Sequence, residues 1–156
     1  MKVLFTCGLF ILFNAFSISD DVYEVLASEN EIELDNVIAK IDGLESSSSL
    51  DAYKGVLLMR KADFATTPKK KLDTFKSGHL LLEAAISSEP DNAEFRFLRL
   101  MIQENAPKVL KYHSQIEEDA IIVKDQFKTL SPSLQDQILT YVDQSTVLKP
   151  SDFLKK

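Results

Sequence analysis

Apolar residues recur every three or four positions through most of the chain beyond residue 20, which is the spacing of one face of an α-helix. Glycine is scarce, with four in 156 residues, and few segments alternate apolar and polar residues as strands do. The pattern predicts an all-α, compact single-domain bundle of about six to seven helices. The predicted helical segments are 22–26, 31–44, 51–64, 71–86, 90–107, 115–130 and 134–142.

Helix starts are marked by side chains that can cap the first turn, followed either by an acid three residues later or by proline. The predicted N-terminal caps are Ser48 or Ser49, Thr67 before Pro68, Asp91 with Glu94, Ser114 with Glu117, and Ser131 before Pro132.

Gly78 lies on the apolar side of its helix, and this position predicts the close approach of a neighbouring backbone.

Residues 1–19 have the pattern of a secretory signal peptide. The basic Lys2 precedes an apolar run that ends at Phe13, and small residues follow. Cleavage is expected after Ser17 or Ser19, and we favour Ser19. The run is short for a membrane-spanning helix, so a retained membrane anchor is the less favoured alternative. A helical domain at 20–148 and a frayed C-terminal tail at 149–156 complete the predicted organisation.

Cysteine usage and charge narrow the classes of partner. The only cysteine, Cys7, lies in the middle of the apolar run, which argues against a lipoprotein and leaves the cleaved chain without disulfides or thiolate metal sites. Loss of residues 1–19 takes the formal charge from −6 to −7, because Lys2 is the only charged residue there. An acidic chain is a poor candidate for binding nucleic acid or anionic membrane surfaces, and no stable membrane insertion is expected after cleavage. The predicted location is outside the cytoplasm, in the bacterial periplasm or secreted.

Catalytic motifs are missing from the chain. A nucleophilic hydrolase needs a base beside a serine or cysteine, yet neither His79 nor His113 lies near a G-x-S-x-G turn. His79 with Glu83 and His113 with Glu117 each have i, i+4 spacing, but they would form a metal site only if their helices met. No glycine-rich phosphate loop is present. We therefore predict no catalytic residue, no metal ligand and no cofactor, and the sequence favours a non-enzymatic protein without deciding between the two classes.

The helix predicted within 90–107 is apolar around most of its circumference, yet it carries Arg96, Arg99 and Gln103 as one stripe. Such a helix is expected to be central, packed on at least two sides. Its arginines then either bind a carboxylate of a ligand or partner bidentately, or pair with acids of neighbouring helices. These three residues are the candidate ligand- or partner-binding site.

The turn at Pro90 predicts one particular ion pair. If segments 71–86 and 90–107 lie antiparallel about this turn, Glu83 is level with Arg96 and one helical turn from Arg99. We therefore expect Glu83 to pair with one of the two arginines, and at least one arginine to be structural.

The stretches AYKGVLLMRKA and FKSGHLLLEAAISSEPDNAEFRFLRL resemble tetratricopeptide-type helical hairpins over roughly residues 50–105. The resemblance implies close helix packing at Gly78 and Ala85 and a turn at Pro90, with an antiparallel hairpin at the centre of the bundle. The chain also resembles a family of small secreted bacterial proteins of unassigned function. Tetratricopeptide domains bind peptides or proteins in a groove, so the resemblance favours binding over catalysis.

Together these features predict an exported, non-enzymatic helical module that binds a protein or peptide partner through one groove. The alternative is a small enzyme or acidic-ligand carrier that uses Arg96 and Arg99 with His79. A purely structural role in an envelope assembly is a third possibility. An open groove would favour partner binding, whereas a closed pocket lined by the arginines and the histidine would favour chemistry.

Overall fold

Residues 18–154 are described by a computed structural model, and every regular element among them is helical. This confirms the predicted all-α bundle. Three short 3₁₀ turns, Ala62–Phe64, Lys108–Leu110 and Phe127–Thr129, supplement the α-helices. The α-helices are α1 (Ile18–Ala27), α2 (Glu31–Asp42), α3 (Ser48–Lys61), α4 (Pro68–Ser88), α5 (Ala93–Asn105), α6 (Ile116–Gln126), α7 (Pro132–Val142) and α8 (Pro150–Phe153).

Two of the predicted helix starts are confirmed. Thr67 caps α4 and Ser131 caps α7, each by accepting a hydrogen bond from a backbone N–H of the first turn, and each is followed by proline. The other predicted caps are wrong by one or two residues. Ser47, Asn92 and Gln115 precede α3, α5 and α6, and Gln115 makes no capping hydrogen bond with its side chain.

The helices α3 and α4 form the closest antiparallel pair in the described part of the chain. Two glycines allow this approach: a methyl group added at Gly78 would lie against the carbonyl oxygen of Gly55 and 2.8 Å from the backbone nitrogen of Met59. The hydroxyl groups of Ser88 and Ser48, at the other end of the pair, are 3.3 Å apart. The close approach predicted at Gly78 is therefore confirmed, and its partner Gly55 had not been predicted.

The central element is α5, as its composition predicts. Phe95, Phe97, Leu98 and Leu100 are completely buried in the core. The helix packs chiefly against α6 and also against α3, whereas α4 lies closer to α3 than to α5. The N-terminal turn of α5 is also tied to α1 and α3, because Glu94 accepts hydrogen bonds from the hydroxyl groups of Ser19, Tyr23 and Tyr53.

The predicted frayed tail is wrong for the residues that the structure describes. The last helix, α8, places Phe153 against Phe127 with ring centroids 4.5 Å apart, and Asp152 pairs with Lys124 at 3.2 Å. The helical domain therefore extends beyond the predicted boundary at residue 148, and α8 accounts for the additional helix. Residues 1–17, where most of the predicted signal peptide falls, lie outside the described residues. Within residues 18–154, no helix has both the length and the apolarity needed to cross a bilayer.

Candidate functional site

The predicted arginine stripe lies in the interior of the bundle. Arg96 and Arg99 keep 8% and 4% of their surface exposed, and Gln103 keeps none. Burial of a guanidinium group is costly unless opposite charge and hydrogen bonds replace water. The neighbours of these three side chains therefore decide what the stripe can do.

Asp119 of α6 supplies most of the compensating charge. Its carboxylate is completely buried and accepts hydrogen bonds from Nε and Nη2 of Arg99, both at 2.7 Å, in a bidentate pair. The same carboxylate accepts a bond from Nη1 of Arg96 at 3.0 Å. One buried acid thus bridges both arginines and fastens α5 to α6.

The remaining donors of Arg99 reach α4. Its Nη1 donates to Glu83 at 2.9 Å, which confirms the predicted pairing of Glu83 with one of the arginines. Burial by itself would lower the pKa of Arg99, but the hydrogen bonds and charge of Asp119, together with the charge of Glu83, raise that pKa above its ordinary value. Arg99 is therefore a permanently charged link among α4, α5 and α6.

Arg96 is held by the turn before its own helix as well as by α6. Its Nε donates to the carbonyl oxygen of Pro90 at 2.8 Å, and its Nη1 also reaches Glu118 at 3.0 Å. All three guanidinium nitrogens of Arg99, and two of the three of Arg96, therefore donate to acceptors within the fold. A ligand carboxylate would have to displace Asp119 or Glu83 to bind Arg99.

Asp119 is the residue that sequence reasoning missed. In sequence, the run Glu117–Asp119 is most simply the negative first turn of a helix, where acids interact favourably with the helix dipole. A signal was nevertheless present, because Asp119 lies three residues after Ile116 and four before Val123, on the inward face of the helix.

Gln103 extends the polar stripe toward the beginning of α6. Its side-chain nitrogen donates to Gln115 at 2.7 Å, and its Oε1 is buried without a hydrogen-bond partner among the described residues. The carbonyl oxygen of Gln103 lies 2.9 Å from Nδ1 of His113. Since a carbonyl only accepts, this contact assigns the proton to Nδ1.

His79 lies at the surface end of the arginine cluster and contacts neither arginine directly. Its Nε2 is 3.9 Å from Glu83, and its ring packs edge-on against Tyr112 with centroids 4.8 Å apart. The Tyr112 hydroxyl donates to Glu83 at 2.7 Å, and burial followed by this carboxylate raises the Tyr112 pKa. The side chains of residues 18–154 offer no cluster of three His, Cys, Asp or Glu residues that would hold a metal ion.

An open cleft of about 440 Å³ lies elsewhere, at the C-terminal end of α5. Its larger apolar groups are Leu26 of α1, Met59 of α3, Phe75 of α4, Met101 and Ile102 of α5, Leu110 of the 3₁₀ turn and the ring of Tyr141 of α7. Its charged groups are Glu29, Arg60, Asp63 and Lys71, two acids and two bases. We call this the Met59–Met101 cleft. Arg96, Arg99, Gln103 and His79 do not line it. Methionine side chains are flexible and polarizable, so such a surface can adapt to different apolar groups.

The cleft is bordered by two lysine-rich segments. Lys71 and Phe75 bring the first turns of α4 to its edge, while Pro107 and Leu110 bring in the second segment. The segments meet where Phe75 packs edge-on against Tyr112, with ring centroids 5.8 Å apart. Six exposed lysines occupy these segments, and none forms an ion pair with a carboxylate of residues 18–154: Lys69, Lys70, Lys71, Lys76, Lys108 and Lys111.

Most other lysines of the described chain are neutralised. Lys40, Lys54, Lys61 and Lys124 each pair with an aspartate. At the opposite end of α5, a second open cleft of about 680 Å³ is lined by Glu89, Asp91 and Glu94 and by no basic residue. Of the unpaired lysines, Lys71 lines the Met59–Met101 cleft, which also contains Glu29 and the ion pair of Arg60 with Asp63.

Comparison of the chain with protein-family models, curated proteins and solved structures finds no match. The resemblances to tetratricopeptide hairpins and to small secreted bacterial proteins therefore stay predictions. The chemistry and shape of the two surfaces, the arginine cluster and the Met59–Met101 cleft, are the basis for a functional conclusion.

Proposed function

We propose that the protein is an exported, non-enzymatic helical module that binds a protein or peptide partner in the Met59–Met101 cleft. The observation that carries this proposal is the cleft itself, an open depression lined by apolar and polar side chains of α1, α3, α4, α5, α7 and two 3₁₀ turns. Its volume of about 440 Å³ lies within the range of pockets that accept several side chains. Partly exposed Phe75, Met101 and Ile102 offer apolar surface that a partner would remove from water.

The arginine stripe does not support the alternative of an acidic-ligand carrier or enzyme. All three nitrogens of the Arg99 guanidinium, and Nε and Nη1 of Arg96, already donate to acceptors within the fold, and Glu83 lies between His79 and Arg99. We therefore assign the stripe to the fold and the partner site to the cleft.

Selection from a displayed peptide library on the purified protein tests the proposal. Peptides enriched on the protein should lose at least about tenfold in affinity when Ile102→Gln alters the cleft, because their apolar anchor loses its contact surface. The matched control is Ile121→Gln on α6, an apolar residue that is 59% exposed and does not line the cleft. Circular dichroism establishes that both variants are folded.

Two outcomes would contradict binding in the cleft. One is a selection that enriches no peptide above background. The other is a set of enriched peptides whose affinities fall equally with Ile121→Gln and Ile102→Gln. Export is tested separately by N-terminal sequencing of the protein recovered outside the cytoplasm, with Ile18 or Asp20 expected as the first residue.

A further inference from the structure

One side of α4 is exposed along the whole length of the helix. Its residues are Lys69, Asp73, Lys76, Leu80, Ala84 and Ser87, and we call it the outer face of α4. We infer that this face is an interface between two copies of the chain, with the two α4 helices antiparallel and a two-fold axis at Leu80. None of its residues lines the Met59–Met101 cleft, so the interface is independent of the proposed function.

Helical geometry places these six residues side by side. At 100° per residue, positions four, seven and eleven residues from Leu80 lie within about 40° of it around the helix. Gly78, which contacts α3, lies about 160° away, so the outer face points away from the partner helix. The helix has 21 residues and is therefore about 31 Å long. A second helix could contact it over this whole length.

Leu80 is the apolar centre of the outer face. Its side chain is 69% exposed, and the small Ala84, one helical turn further on, is exposed as well. Two Leu80 side chains that meet at a two-fold axis would remove each other from water, and a small neighbour allows the helices to approach closely. A single exposed leucine is common on protein surfaces. The charges around it therefore decide what it meets.

The charges at the two ends of α4 are opposite in sign and unpaired. Lys69 precedes Leu80 by eleven residues, and Asp91, in the turn that follows the helix, comes eleven residues after it. Both side chains are exposed, and neither forms an ion pair with a group of residues 18–154. The exposed Glu89 adds a second unpaired acid to the same turn. One end is thus basic and the other acidic.

A second copy of α4 in the opposite direction matches this arrangement. With the two-fold axis at Leu80, residues equally far from Leu80 in opposite directions lie at the same height. Lys69 of each copy then faces Asp91 of the other, and the symmetry makes this contact twice. Opposite charges at both ends attract the copies and fix their direction.

Other arrangements oppose like charges. In the antiparallel dimer, the remaining charged residues of the outer face, Lys76 and Asp73, face the uncharged Ala84 and Ser87. Two parallel α4 helices would instead place each lysine against the same lysine of the other copy, which disfavours that pairing. An anionic bilayer would attract the lysines but would repel Asp73, which lies between them. The antiparallel second copy is therefore the occupant that the charges favour.

An interface between two single helices is small, so the dimer should be weak. It falls below the roughly 1,200 Å² of standard stable interfaces, and we expect a dissociation constant of about 10–100 μM. Sedimentation equilibrium of the purified full-length protein from about 5 to 500 μM should show the weight-average mass rising toward that of a dimer. An increase in NaCl from about 0.05 to 0.5 M should weaken association, because the end contacts are exposed.

A charge at the two-fold axis tests the position of the interface. Leu80→Glu brings two like charges together and should weaken association by more than about tenfold. The variant should remain folded, because Leu80 is largely exposed and glutamate is a good helix former. Ile121→Glu on α6 is the matched control: this residue is 59% exposed and lies outside the outer face, so association should remain unchanged.

Exchange of charge tests the direction of the helices. Lys69→Glu alone and Asp91→Lys alone should each weaken association by about five- to tenfold, since each creates two contacts between like charges. In an equimolar mixture of these two variants, an acid faces a base at both contacts. Mixed dimers should therefore form with about the affinity of the unaltered protein. Circular dichroism establishes that each variant is folded.

Each contrary result overturns a stated part of the inference. A protein that remains monomeric throughout the concentration range overturns the dimer. A dimer that is insensitive to Leu80→Glu uses a different surface. A mixture of the two charge variants that associates no better than either variant alone overturns the antiparallel arrangement. Peptide binding in the cleft decides the proposed function separately.

Discussion

At the scale of single residues, Asp119 explains how two arginines are accommodated inside a small helical protein. Its carboxylate has no exposed surface and bridges Arg96 and Arg99. A buried ion cluster of this kind contributes little net stability compared with apolar residues of the same shape. Removal of one partner is different, because it leaves charge in a region without water.

Replacement of Asp119 should therefore be far more damaging than replacement of an exposed acid. We expect Asp119→Asn to lower the free energy of unfolding by about 3–5 kcal/mol. In a double-mutant cycle, its coupling to Arg99→Met should be about 3 kcal/mol, as measured by urea denaturation. The control cycle uses Asp42→Asn and Lys54→Met, an exposed ion pair at 2.5 Å whose coupling should be below about 1 kcal/mol. Similar couplings in the two cycles would show that the cluster is not desolvated.

A second prediction at the scale of single residues concerns Gly78. Alanine normally favours a helix over glycine by about 1 kcal/mol, but a methyl group here would collide with the backbone of Gly55 and Met59. We expect Gly78→Ala to lower the melting temperature, with a loss of about 1–3 kcal/mol from overpacking. Gly43→Ala is the control, since its φ is −85° and the nearest atom to the added methyl is 3.6 Å away. A higher melting temperature for Gly78→Ala would contradict the close crossing of α3 and α4.

At the scale of elements, the short α8 closes the C-terminal end of the bundle. It has four residues, too few for stability by itself, so tertiary contacts must hold it in place. Phe153 stacks on Phe127, and Lys124 both pairs with Asp152 and donates to the carbonyl oxygen of Val147 at 2.9 Å. These contacts explain why a segment with a weak helical pattern is ordered.

Truncation of the buried ring tests this role of α8. Phe153→Ala should cost about 2–4 kcal/mol in unfolding free energy, because it removes apolar contact and leaves a cavity beside Phe127. Leu154→Ala is the adjacent control, and at 78% exposure it should change stability by less than about 0.5 kcal/mol. Hydrogen exchange of the α8 amides would rise in the first variant alone. Equal stability of the two variants would mean that α8 does not dock on the core.

At the scale of the whole molecule, the four tyrosines make the free energy of unfolding depend on pH in the alkaline range. Burial, followed by the charges of nearby carboxylates, raises the pKa of Tyr23, Tyr53, Tyr112 and Tyr141 above the ordinary value of 10.0. The folded protein therefore retains these phenolic protons at a pH where the unfolded chain loses them.

The free energy of unfolding therefore falls as the pH rises. Each tyrosine contributes fully to this free energy below about pH 10, and its contribution is lost above that value, since ionisation then favours the unfolded chain. At about pH 11, ionisation of Tyr23 and of Tyr112 in the unfolded chain should each have lowered the free energy of unfolding by about 1 kcal/mol. Thermal unfolding should show a melting temperature that falls between about pH 9 and 11, with a smaller fall in Tyr112→Phe. An unchanged slope in this variant would indicate that its hydroxyl titrates normally.

The order and approximate extent of the helices could be predicted from sequence because their causes are local. Apolar periodicity, proline in the first turn and a preceding hydroxyl act within a few residues of each other, as Thr67 and Ser131 show. The caps of α3 and α5 were misplaced because neighbouring residues of similar type, Ser47–Ser49 and Asp91–Asn92, compete for one position. Ser114 was misplaced because α6 begins after Gln115, without a side-chain cap. The burial of α5 could also be predicted, from its apolar composition. The pairing of Glu83 with an arginine could be predicted because a short turn at Pro90 joins segments 71–86 and 90–107.

Only the tertiary structure decided which of several acids meets the arginines and where a cleft remains open. Asp119 lies 20 residues beyond Arg99. Its spacing from Ile116 and Val123 places it on the inward face of α6, but only the packing of α6 against α5 brings it to the arginines. The Met59–Met101 cleft likewise combines groups from α3, α4, α5 and the 3₁₀ turn, none of which forms a surface alone. The sequence by itself determined the helices and their apolar faces, because short-range forces specify them. The tertiary structure decided the ion cluster and the cleft, because these depend on the packing of distant segments.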